Sequence, residues 1–479
     1  MAEIQYAGEY QLEEIKLFSS SGNIIPLNGL MVTLNLFENI FSPSMSGSIT
    51  ILDTNSIVLN MPVIGQEYLS FKIKTASLDG EGTDIIDFTE NVFSIYKIDS
   101  RLEGTNSELI TLHFASPEML RNIRTRVSKS YTNRIDKIVT DVLQNERYIN
   151  SKKDIFIEGT IGVRKIIAPN SSPFAFVQKL ASESISLEHG SPYFMFYENK
   201  DGFHFRSLDS LYGQPIIAKY NTGEFSHQES SGTVVRNVLE EYSRPLNYQI
   251  VQSNDMASNI RGGLLGSNLI TYDIYKKSYN KKSFRYFKNF RDYSRISDNP
   301  IYNTNVIDEF GNTADNFTDA NIHLHPTSKV EENDAQYFTD VSTSPYSPNR
   351  IENALLHRQA KFMELKRGVS LKIEVHGMTN IAIGQTIQFD MQVAGNPNDK
   401  SSLDPYYTGK YLITQLRHTF AVPPKKEHSV VMTIVKDGYN EELEQNTGAE
   451  EPKRRSKGTV FTNVALGGII YRNLHHVKF

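Results

Sequence analysis

Residues 275–295, where basic and aromatic side chains interleave, are the part of the sequence whose residue types most suggest a binding function. Its basic residues are Lys276, Lys277, Lys281, Lys282, Arg285, Lys288, Arg291 and Arg295, and its aromatic residues are Tyr279, Phe284, Tyr286, Phe287, Phe290 and Tyr293. Such a mixture can hold a phosphate backbone and stack on nucleobases. It is equally typical of a solvated strand pair with aromatic side chains in a core, or of an anchor for an acidic partner protein. We favour these last two interpretations, and the basic residues from Lys276 to Arg291 are candidates for partner binding.

Two histidines offer a second kind of chemistry. His323 and His325 could present two imidazoles to a metal ion from one face of a strand. Carboxylates that could complete such a site occur nearby, at Asp315, Asp319 and Asp334. Because histidines in a polar segment are more often solvated, we predict no metal site.

Catalytic signatures are missing from the sequence. The Gly-rich residues 262–267 (GGLLGS) are not followed by a Lys that could meet a phosphate. Residues 46–48 (SGS) suit a turn and not the G-x-S-x-G nucleophile elbow. The paired acids at 13–14 and 240–241 show no spacing specific to glycoside hydrolysis. We therefore predict no catalytic or cofactor-binding residues and no enzyme; an enzyme acting on cell-wall glycan would clear purified murein.

The composition sets limits on the class of protein. The chain has 479 residues, which suggests about two to four domains. Its net charge of −5 excludes a globally basic nucleic-acid binder but not a local basic patch. It contains no cysteine, which excludes disulfides, Cys-ligated zinc, iron–sulfur clusters and a thiol nucleophile. Residues 1–10 lack the apolar core of a signal peptide, and we expect no transmembrane helix.

Hydrophobic periodicity predicts a mainly β chain with an inserted α/β unit. Residues 1–115 alternate between apolar and polar side chains, as in half-buried strands. Apolar residues at helical spacing over 131–143 predict a helix capped by Ser130, and Ser172-Pro173 predicts the start of a second helix. Residues 257–350 indicate a long irregular region. A helix from Ile351 to Gly368 is then followed by strands at 369–375, 385–389, 411–420 and 429–435.

Two parts of the chain resemble each other. Residues 64–71 (IGQEYLSF) are similar to residues 383–389 (IGQTIQF), and each segment is followed at nearly equal spacing by strands, at 93–98 and at 411–416. Chance could produce such a similarity, because Gly turns before alternating strands recur in β proteins. The alternative is a duplicated β-barrel, with one copy near each end of the chain. A trimer of such chains would display six similar units in a ring.

Several landmarks together resemble those of phage baseplate hub proteins. They are residues 36–49 (LFENIFSPSMSGSI), 61–67 (MPVIGQE), 168–174 (APNSSPF) at the entry to a helix, and 406–413 (YYTGKYLI) followed by His418. The order and spacing of these segments, over residues 30–438, carry the resemblance. The family includes the hub of the T-even phage baseplate, and it is similar to the N-terminal part of type VI secretion spike proteins.

The resemblance implies a homotrimer in which each chain supplies two similar tube-like β-barrels to a pseudo-six-fold ring. The implied parts are a first barrel (1–115), an inserted α/β domain (116–213), a second barrel (214–256 plus 351–440), an irregular outer extension (257–350) and a C-terminal tail (441–479). The implied role is a structural hub in the virion tail baseplate, made in the host cytoplasm. It would join the three-fold central spike to the six-fold tail tube and line the DNA channel.

The resemblance also implies a set of partners, and it leaves alternatives open. The partners would be two further copies of the chain, the central spike protein, the tail tube or tube-initiator protein and the baseplate wedge proteins, with DNA only in transit. A channel that passes DNA should not bind it tightly, because each neutralised phosphate adds to affinity. The basic stretch at 275–295 is therefore expected to face a protein. The alternatives are a hub of a phage-like injection or secretion machine, and a nucleic-acid-binding protein that uses residues 275–295.

Overall fold

The computed structural model describes residues 6–20, 22–54, 63–76, 83–103, 107–223, 238–252, 255–273, 277–292, 294–303, 313–326, 351–393, 403–422, 426–443, 461–466 and 469–474. The chain divides into two compact units, Met1–Glu442 and Leu443–Phe479. Most described elements are strands, and most strand pairs are antiparallel, which confirms the mainly β prediction.

The first unit contains strands along its whole length. They are β1 (Gln11–Phe18), β2 (Ile24–Pro26), β3 (Met31–Asn39), β4 (Ser46–Asp53), β5 (Tyr68–Ala76), β6 (Thr83–Asp87), β7 (Phe93–Glu103), β8 (Glu108–Ala115), β9 (Val127–Arg134), β10 (Ile155–Ile157), β11 (Val163–Ser171), β12 (Phe194–Asn199), β13 (Gly202–Ser207), β14 (Ile216–Asn221), β15 (Pro245–Gln252), β16 (Gly266–Asp273), β17 (Ser278–Arg285), β18 (Ile322–Pro326), β19 (Val369–His376), β20 (Thr386–Asp390), β21 (Gly409–Ala421) and β22 (Glu427–Lys436).

The described helices of this unit are fewer and mostly short. They are α1 (Pro117–Arg124), α2 (Ile135–Gln144), α3 (Pro173–Glu183), α4 (Leu208–Tyr212), α5 (Val238–Tyr242), α6 (Met256–Gly262), α7 (Tyr286–Asn289) and α8 (Ile351–Arg367).

Fourteen of the described strands form one sheet, and within it a strand order occurs twice. The first set runs β3-β4-β8-β7-β5-β1, and the second runs β15-β19-β22-β21-β20-β14. The two sets meet where the C-terminal half of β21 pairs antiparallel with β3. One pairing differs, because β1 is antiparallel to β5 whereas β14 is parallel to β20.

The hydrogen-bond register repeats together with the strand order. Ile95 lies opposite Phe114 in the first set, and Ile413 lies opposite Ile434 in the second. In both sets the register then shifts by one residue, at Tyr96 and at Thr414, so that even the bulge is shared. A β-bulge redirects the strand that carries it and increases the local twist. The two sets therefore bend at the same point.

The two similar sequence segments occupy equivalent places in these sets. Gly65 and Gly384 both adopt left-handed backbone, with φ of +89° and +80°, just before β5 and β20. This conformation is readily available only to glycine, which explains the shared residue. The Ile95 N–H donates to the carbonyl of Glu67 (2.8 Å), and the Ile413 N–H donates to that of Gln385 (2.9 Å).

The first set packs around an apolar core with clustered phenylalanines. Phe71, Phe93 and Phe114 are fully buried and pack against one another, with ring centroids 4.9 to 6.2 Å apart. Gly47 on β4 lets this layer form, because a Cβ there would lie 2.2 Å from the Phe114 ring and 2.4 Å from the Asn35 carbonyl oxygen.

A second apolar core has members from Val127 to Phe205, and in this α/β layer α2 and α3 pack with the short sheet β10-β13-β12. Helix α3 begins at Pro173 after Ser172, as predicted. The predicted helix over 131–143 begins later than expected, since α2 starts at Ile135. Ser130 is not a helix cap but part of β9, which pairs with β11. Tyr131 fits the helical period, yet it stacks on Phe176 from a strand.

The prediction that residues 257–350 are irregular is wrong for a large part of the described segment. Strands β17, β16 and β18 form a three-stranded sheet in that order, preceded by α6. The sequence obscured this sheet because β17 (SYNKKSFR) has only one buried side chain, Phe284, and therefore lacks an apolar alternation. Residues 327–350 lie outside the described residues.

The second unit contains an antiparallel hairpin of β23 (Phe461–Leu466) and β24 (Ile469–Leu474). Its register runs from Phe461 opposite Leu474 to Leu466 opposite Ile469. The predicted C-terminal tail therefore contains a regular element.

Candidate interaction surfaces

The basic and aromatic stretch forms the outer edge of the three-stranded sheet and the short helix that follows it. Lys281, Lys282 and Arg285 lie on β17, and Lys288 lies on α7. Lys281, Arg285, Lys288 and Arg291 are exposed, and so is Lys277, while Lys282 is half-buried. Lys276, Tyr275 and Tyr293 lie outside the described residues.

The aromatic side chains of this stretch mostly face inward. Phe284, Tyr286 and Phe290 are buried, and Tyr286 packs edge-on against both Phe290 and Tyr302. Tyr279, in contrast, is 78% exposed. Stacking on nucleobases requires accessible ring faces, so the buried rings are unavailable for it.

The outer face of this sheet combines apolar and basic groups. Register places Tyr272 opposite Tyr279, and Ile270 between Lys281 on one side and Leu324 on the other. Residues opposite each other share a face of a sheet. Tyr272, Tyr279 and Leu324 are all exposed. Asp319 lies 3.6 Å from Lys281 and offsets part of the positive charge.

Residues 266–303, which we call the outer segment, are fixed to the main sheet by a buried ionic cluster. Arg295 donates to Glu364 of α8 (2.9 Å), and Lys361 of the same helix donates to Asp437 after β22 (2.5 Å). Arg295 also lies 3.8 Å from Asp437 and stacks over the Phe290 ring at 3.6 Å. Burial by itself would raise the pKa of Asp437, but Lys361 and Arg295 lower it below its usual value. The two cations and two carboxylates form a balanced group.

The two histidines considered as metal ligands lie on β18. His323 and His325 share a face, as expected from their spacing. The candidate carboxylates are bound elsewhere: Asp315 accepts from the Phe287 N–H, and Asp319 accepts from the Asn268 amide. Asp334 lies outside the described residues. Within the part of the chain that the structure describes, no three His, Asp or Glu side chains converge as metal ligands.

Glu38 joins three parts of the fold at one point. This fully buried carboxylate on β3 accepts from the Lys200 N–H in the β12–β13 turn (3.0 Å) and from the Ile383 N–H before β20 (3.0 Å). Burial raises the pKa of Glu38 to about 7, although the two N–H groups and the Lys200 charge oppose this rise. Glu38 therefore links the two strand sets and the α/β layer.

A second buried ionic group connects the α/β layer to the first strand set. Lys153 donates to Glu198 of β12 (2.6 Å) and to Glu118 of α1 (3.0 Å). Glu198 also accepts from the Met45 N–H (2.8 Å) and the Ser116 hydroxyl (2.8 Å) at the edge of the first set. Burial raises the pKa of Glu198, while Lys153 counteracts this effect.

A groove of about 420 Å³ lies along the second set, where β15, β19, β22, β21 and β3 run side by side. Polar side chains dominate its lining, including Asn247, Gln249, Lys372, Glu374 and Gln415. On β19 these residues alternate with buried apolar ones, so the groove faces away from the core.

None of the described helices is long and apolar enough to span a membrane.

Comparison with known proteins places these features in context. No family model matches the chain. In sequence, the chain is 23% identical over 298 residues to a probable baseplate hub protein of Vibrio phage KVP40, covering 60% of this chain and 63% of that relative. The match thus spans less than two thirds of the relative's length.

The solved structures that align with the chain share little sequence identity with it. A tail protein from Neisseria meningitidis MC58 aligns with a TM-score of 0.48 and 10% identity, over 91% of this chain and 99% of that one. A 43 kDa tail protein of prophage MuSo2 from Shewanella oneidensis aligns with a TM-score of 0.48 and 8% identity, over 90% and 100%. The resemblance to phage baseplate hub proteins, drawn from the sequence landmarks, is confirmed by the sequence match to the Vibrio phage protein.

Proposed function

We propose that this chain is a structural hub of a contractile phage tail baseplate, located in the virion and without catalytic activity. In this role it is a homotrimer that joins a three-fold central spike to a six-fold tail tube and surrounds the channel for DNA. Its further partners are the tube or tube-initiator protein and the baseplate wedge proteins. The observation that carries the proposal is the repeated strand order and register within one chain.

A repeated unit solves a symmetry problem. Three chains with one strand set each would offer three equal contact sites, which do not match a six-fold neighbour. Three chains with two equivalent sets offer six. The shared bulge after Ile95 and Ile413 supports this equivalence at the level of backbone shape.

Under this proposal the two strand sets are the tube-like barrels, at 1–115 and at 214–256 plus 351–440. Residues 116–213 are the inserted domain, residues 257–350 are the outer extension, and residues 441–479 are the C-terminal tail. The groove supports a lumen at the second set, because its polar lining carries opposite charges at Lys372 and Glu374 of β19. A nearly neutral wall suits DNA transit, since it neutralises few phosphates.

The outer sheet is then the surface for a neighbouring baseplate protein. Lys277, Lys281, Arg285, Lys288 and Arg291 are exposed, while most aromatics of the stretch are buried. Because most rings of the stretch are buried and Tyr279 is the exposed exception among its described aromatics, the surface favours a protein ligand over single-stranded DNA.

The mass of the purified chain in solution tests the hub proposal. Light scattering should give three times 54.4 kDa, about 163 kDa, and negative-stain averages should show a six-lobed ring with a central hole. A stable dimer or tetramer without a central hole would rule out the hub. A monomer would be examined again after co-expression with a spike protein, and a monomer there too would reject the proposal.

A nucleic-acid-binding function is the second candidate, supported by the exposed basic groups on β17. Binding to single-stranded DNA that falls steeply with salt and is lost in Lys281→Glu/Arg285→Glu would establish it. Lys179→Glu, at an exposed position on α3, is the matched control. A hub of an injection or secretion machine is distinguished from a phage hub by the absence of capsid and terminase genes nearby.

A further inference from the structure

We infer that the ring closes by antiparallel strand pairing between β7 of one copy and β15 of the next. The inference rests on the proposed homotrimer and identifies the surfaces that join its subunits. The partner for both strands is thus a second copy of this chain.

Among the described residues, each of these strands has one edge that is partly or wholly without a pairing partner. On one side β7 pairs with β8 along its length, but on the other it pairs with β5 only at Phe93 and Ser94. Strand β15 is the first strand of the main sheet, and its pairing among the described strands is with β19. Unpaired strand edges present rows of N–H and C=O groups that can add another strand.

The junction inside the chain shows what such a pairing looks like. Strand β21 has the same place in its set as β7, and β3 has the same place as β15. Strands β21 and β3 do pair, antiparallel, from Gln415 opposite Asn39 to Ala421 opposite Thr33. The pairing of β7 with β15 would therefore repeat, between copies, a contact that the chain already makes internally.

The exposure of equivalent side chains supports this occupant. The two sets can be aligned from the equivalent residues Phe114 on β8 and Ile434 on β22. Followed across β4 to β3 and across β19 to β15, this register matches Leu34 with Tyr248 and Leu36 with Ile250. At the internal junction Leu34 and Leu36 are both 0% exposed, whereas Tyr248 is 44% and Ile250 is 40% exposed.

The same contrast holds on the other strand of the junction. Ile98 on β7 corresponds to Leu416 on β21, because both follow the shared bulge by two residues. Ile98 is 37% exposed, and Leu416 is 3% exposed. Apolar positions that the internal junction covers are thus left uncovered at both open edges, as expected for an interface between copies.

The internal register also predicts the contacts between copies. Asp99 on β7 corresponds to Arg417 on β21, and Arg417 lies opposite Phe37 on β3. Phe37 in turn corresponds to Gln252 on β15. Asp99 of one copy should therefore lie opposite Gln252 of the next. Each chain carries one edge of each kind, so the contact is head-to-tail, and such contacts form a ring when the rotation closes.

Disulfide trapping tests this register without background, because the chain contains no cysteine. The variant Asp99→Cys/Gln252→Cys should form covalent dimers and trimers under mild oxidation on a non-reducing gel. Opposite residues of antiparallel strands have Cα atoms about 4.5–5.5 Å apart, within the span of a disulfide. The mismatched pair Asp99→Cys/Tyr248→Cys is displaced by three register positions, about 10 Å along the strand, because β15 carries a bulge between Ile250 and Gln252, and it should stay uncrosslinked.

A second variant tests the apolar part of the interface. Ile250→Glu places a charge at the uncovered position on β15 and should reduce the light-scattering mass to 54.4 kDa, with an unchanged circular dichroism spectrum. Ile167→Glu, on β11 of the α/β layer and 69% exposed, is the matched control and should remain trimeric.

The outcomes separate this inference from the proposed function. Crosslinked trimers from the matched pair alone support the strand pairing. A wild-type trimer of about 163 kDa that does not crosslink, or that crosslinks equally in both pairs, overturns the pairing but leaves the hub intact. A wild-type chain that stays monomeric with its spike protein overturns both.

Discussion

Removal of the Arg295 guanidinium should strongly destabilise the attachment of the outer segment to the main sheet. Arg295 lies with Lys361, Glu364 and Asp437 in a cluster whose side chains are 13%, 4%, 1% and 2% exposed. In Arg295→Met the two carboxylates share one ammonium, which leaves a net negative charge in a buried site. Breaking a buried ion pair in this way costs about 3 to 5 kcal/mol.

The matched control is Arg291→Met, four residues earlier in the same segment and exposed. An exposed arginine without a buried partner should change the free energy of unfolding by no more than about 0.5 kcal/mol. Both variants lose the same charge and gain the same side chain. Their difference therefore measures the buried cluster.

Hydrogen exchange is the appropriate measurement, because a chain with several parts need not unfold in one step. Amides of α8 around Lys361, and of residues 294–299, should lose about two to four orders of magnitude of protection in Arg295→Met. A double variant, Arg295→Met/Glu364→Gln, restores a balanced Lys361–Asp437 pair. It should be less destabilised than the sum of the single variants.

Two results would refute this reasoning. Equal protection in Arg295→Met and Arg291→Met would show that the cluster contributes nothing to stability. Strict additivity in the double variant would show that Arg295 and Glu364 are not coupled, despite the 2.9 Å contact between them.

Three further predictions follow from buried positions in the main sheet and the α/β layer. Burial raises the pKa of Glu38 from 4.5 to about 7. The free energy of unfolding of the wild-type chain should therefore fall as the pH rises from 4.5 to about 7, by up to about 3 kcal/mol relative to Glu38→Gln in urea titrations. Parallel pH curves for the two proteins would contradict this. Gly47→Ala should lower the melting temperature by an amount equivalent to about 1 to 3 kcal/mol, while Gly29→Ala, with open space around it, should not; equal shifts would exclude the proposed steric clash. Lys153→Met leaves two buried carboxylates unbalanced and should cost about 3 to 5 kcal/mol in denaturant, whereas exposed Lys152→Met should be nearly neutral, and similar losses in both would argue against the ionic group.

Local patterns predicted several elements because their causes are local. Ser172-Pro173 begins α3, since a proline at the first helical position loses no hydrogen bond. The alternation from Val369 onward predicted β19, whose apolar side chains are buried. Local patterns failed where pairing with a distant strand prevailed, as at Tyr131, which satisfies the helical period but lies in β9.

The candidate partner-binding stretch shows the same division. Its basic composition was evident from the sequence, but Arg291 and Arg295 are indistinguishable there, although one is exposed and the other is buried beside Glu364. The importance of Glu38 and Lys153 was missed, because their partners lie far away in the chain. A lone acidic residue on an apolar strand was the available signal at Glu38.

The sequence by itself determined the β-rich class, the family resemblance and the Gly turns at residues 65 and 384, because these depend on composition, on motif order and on the backbone freedom of glycine. Only the tertiary structure decided that β21 pairs with β3, which lies hundreds of residues away, and that β7 and β15 keep edges that no other described strand fully covers. Strand pairing of this kind depends on which surfaces meet after the chain folds, and alternation within one strand carries no information about its neighbour.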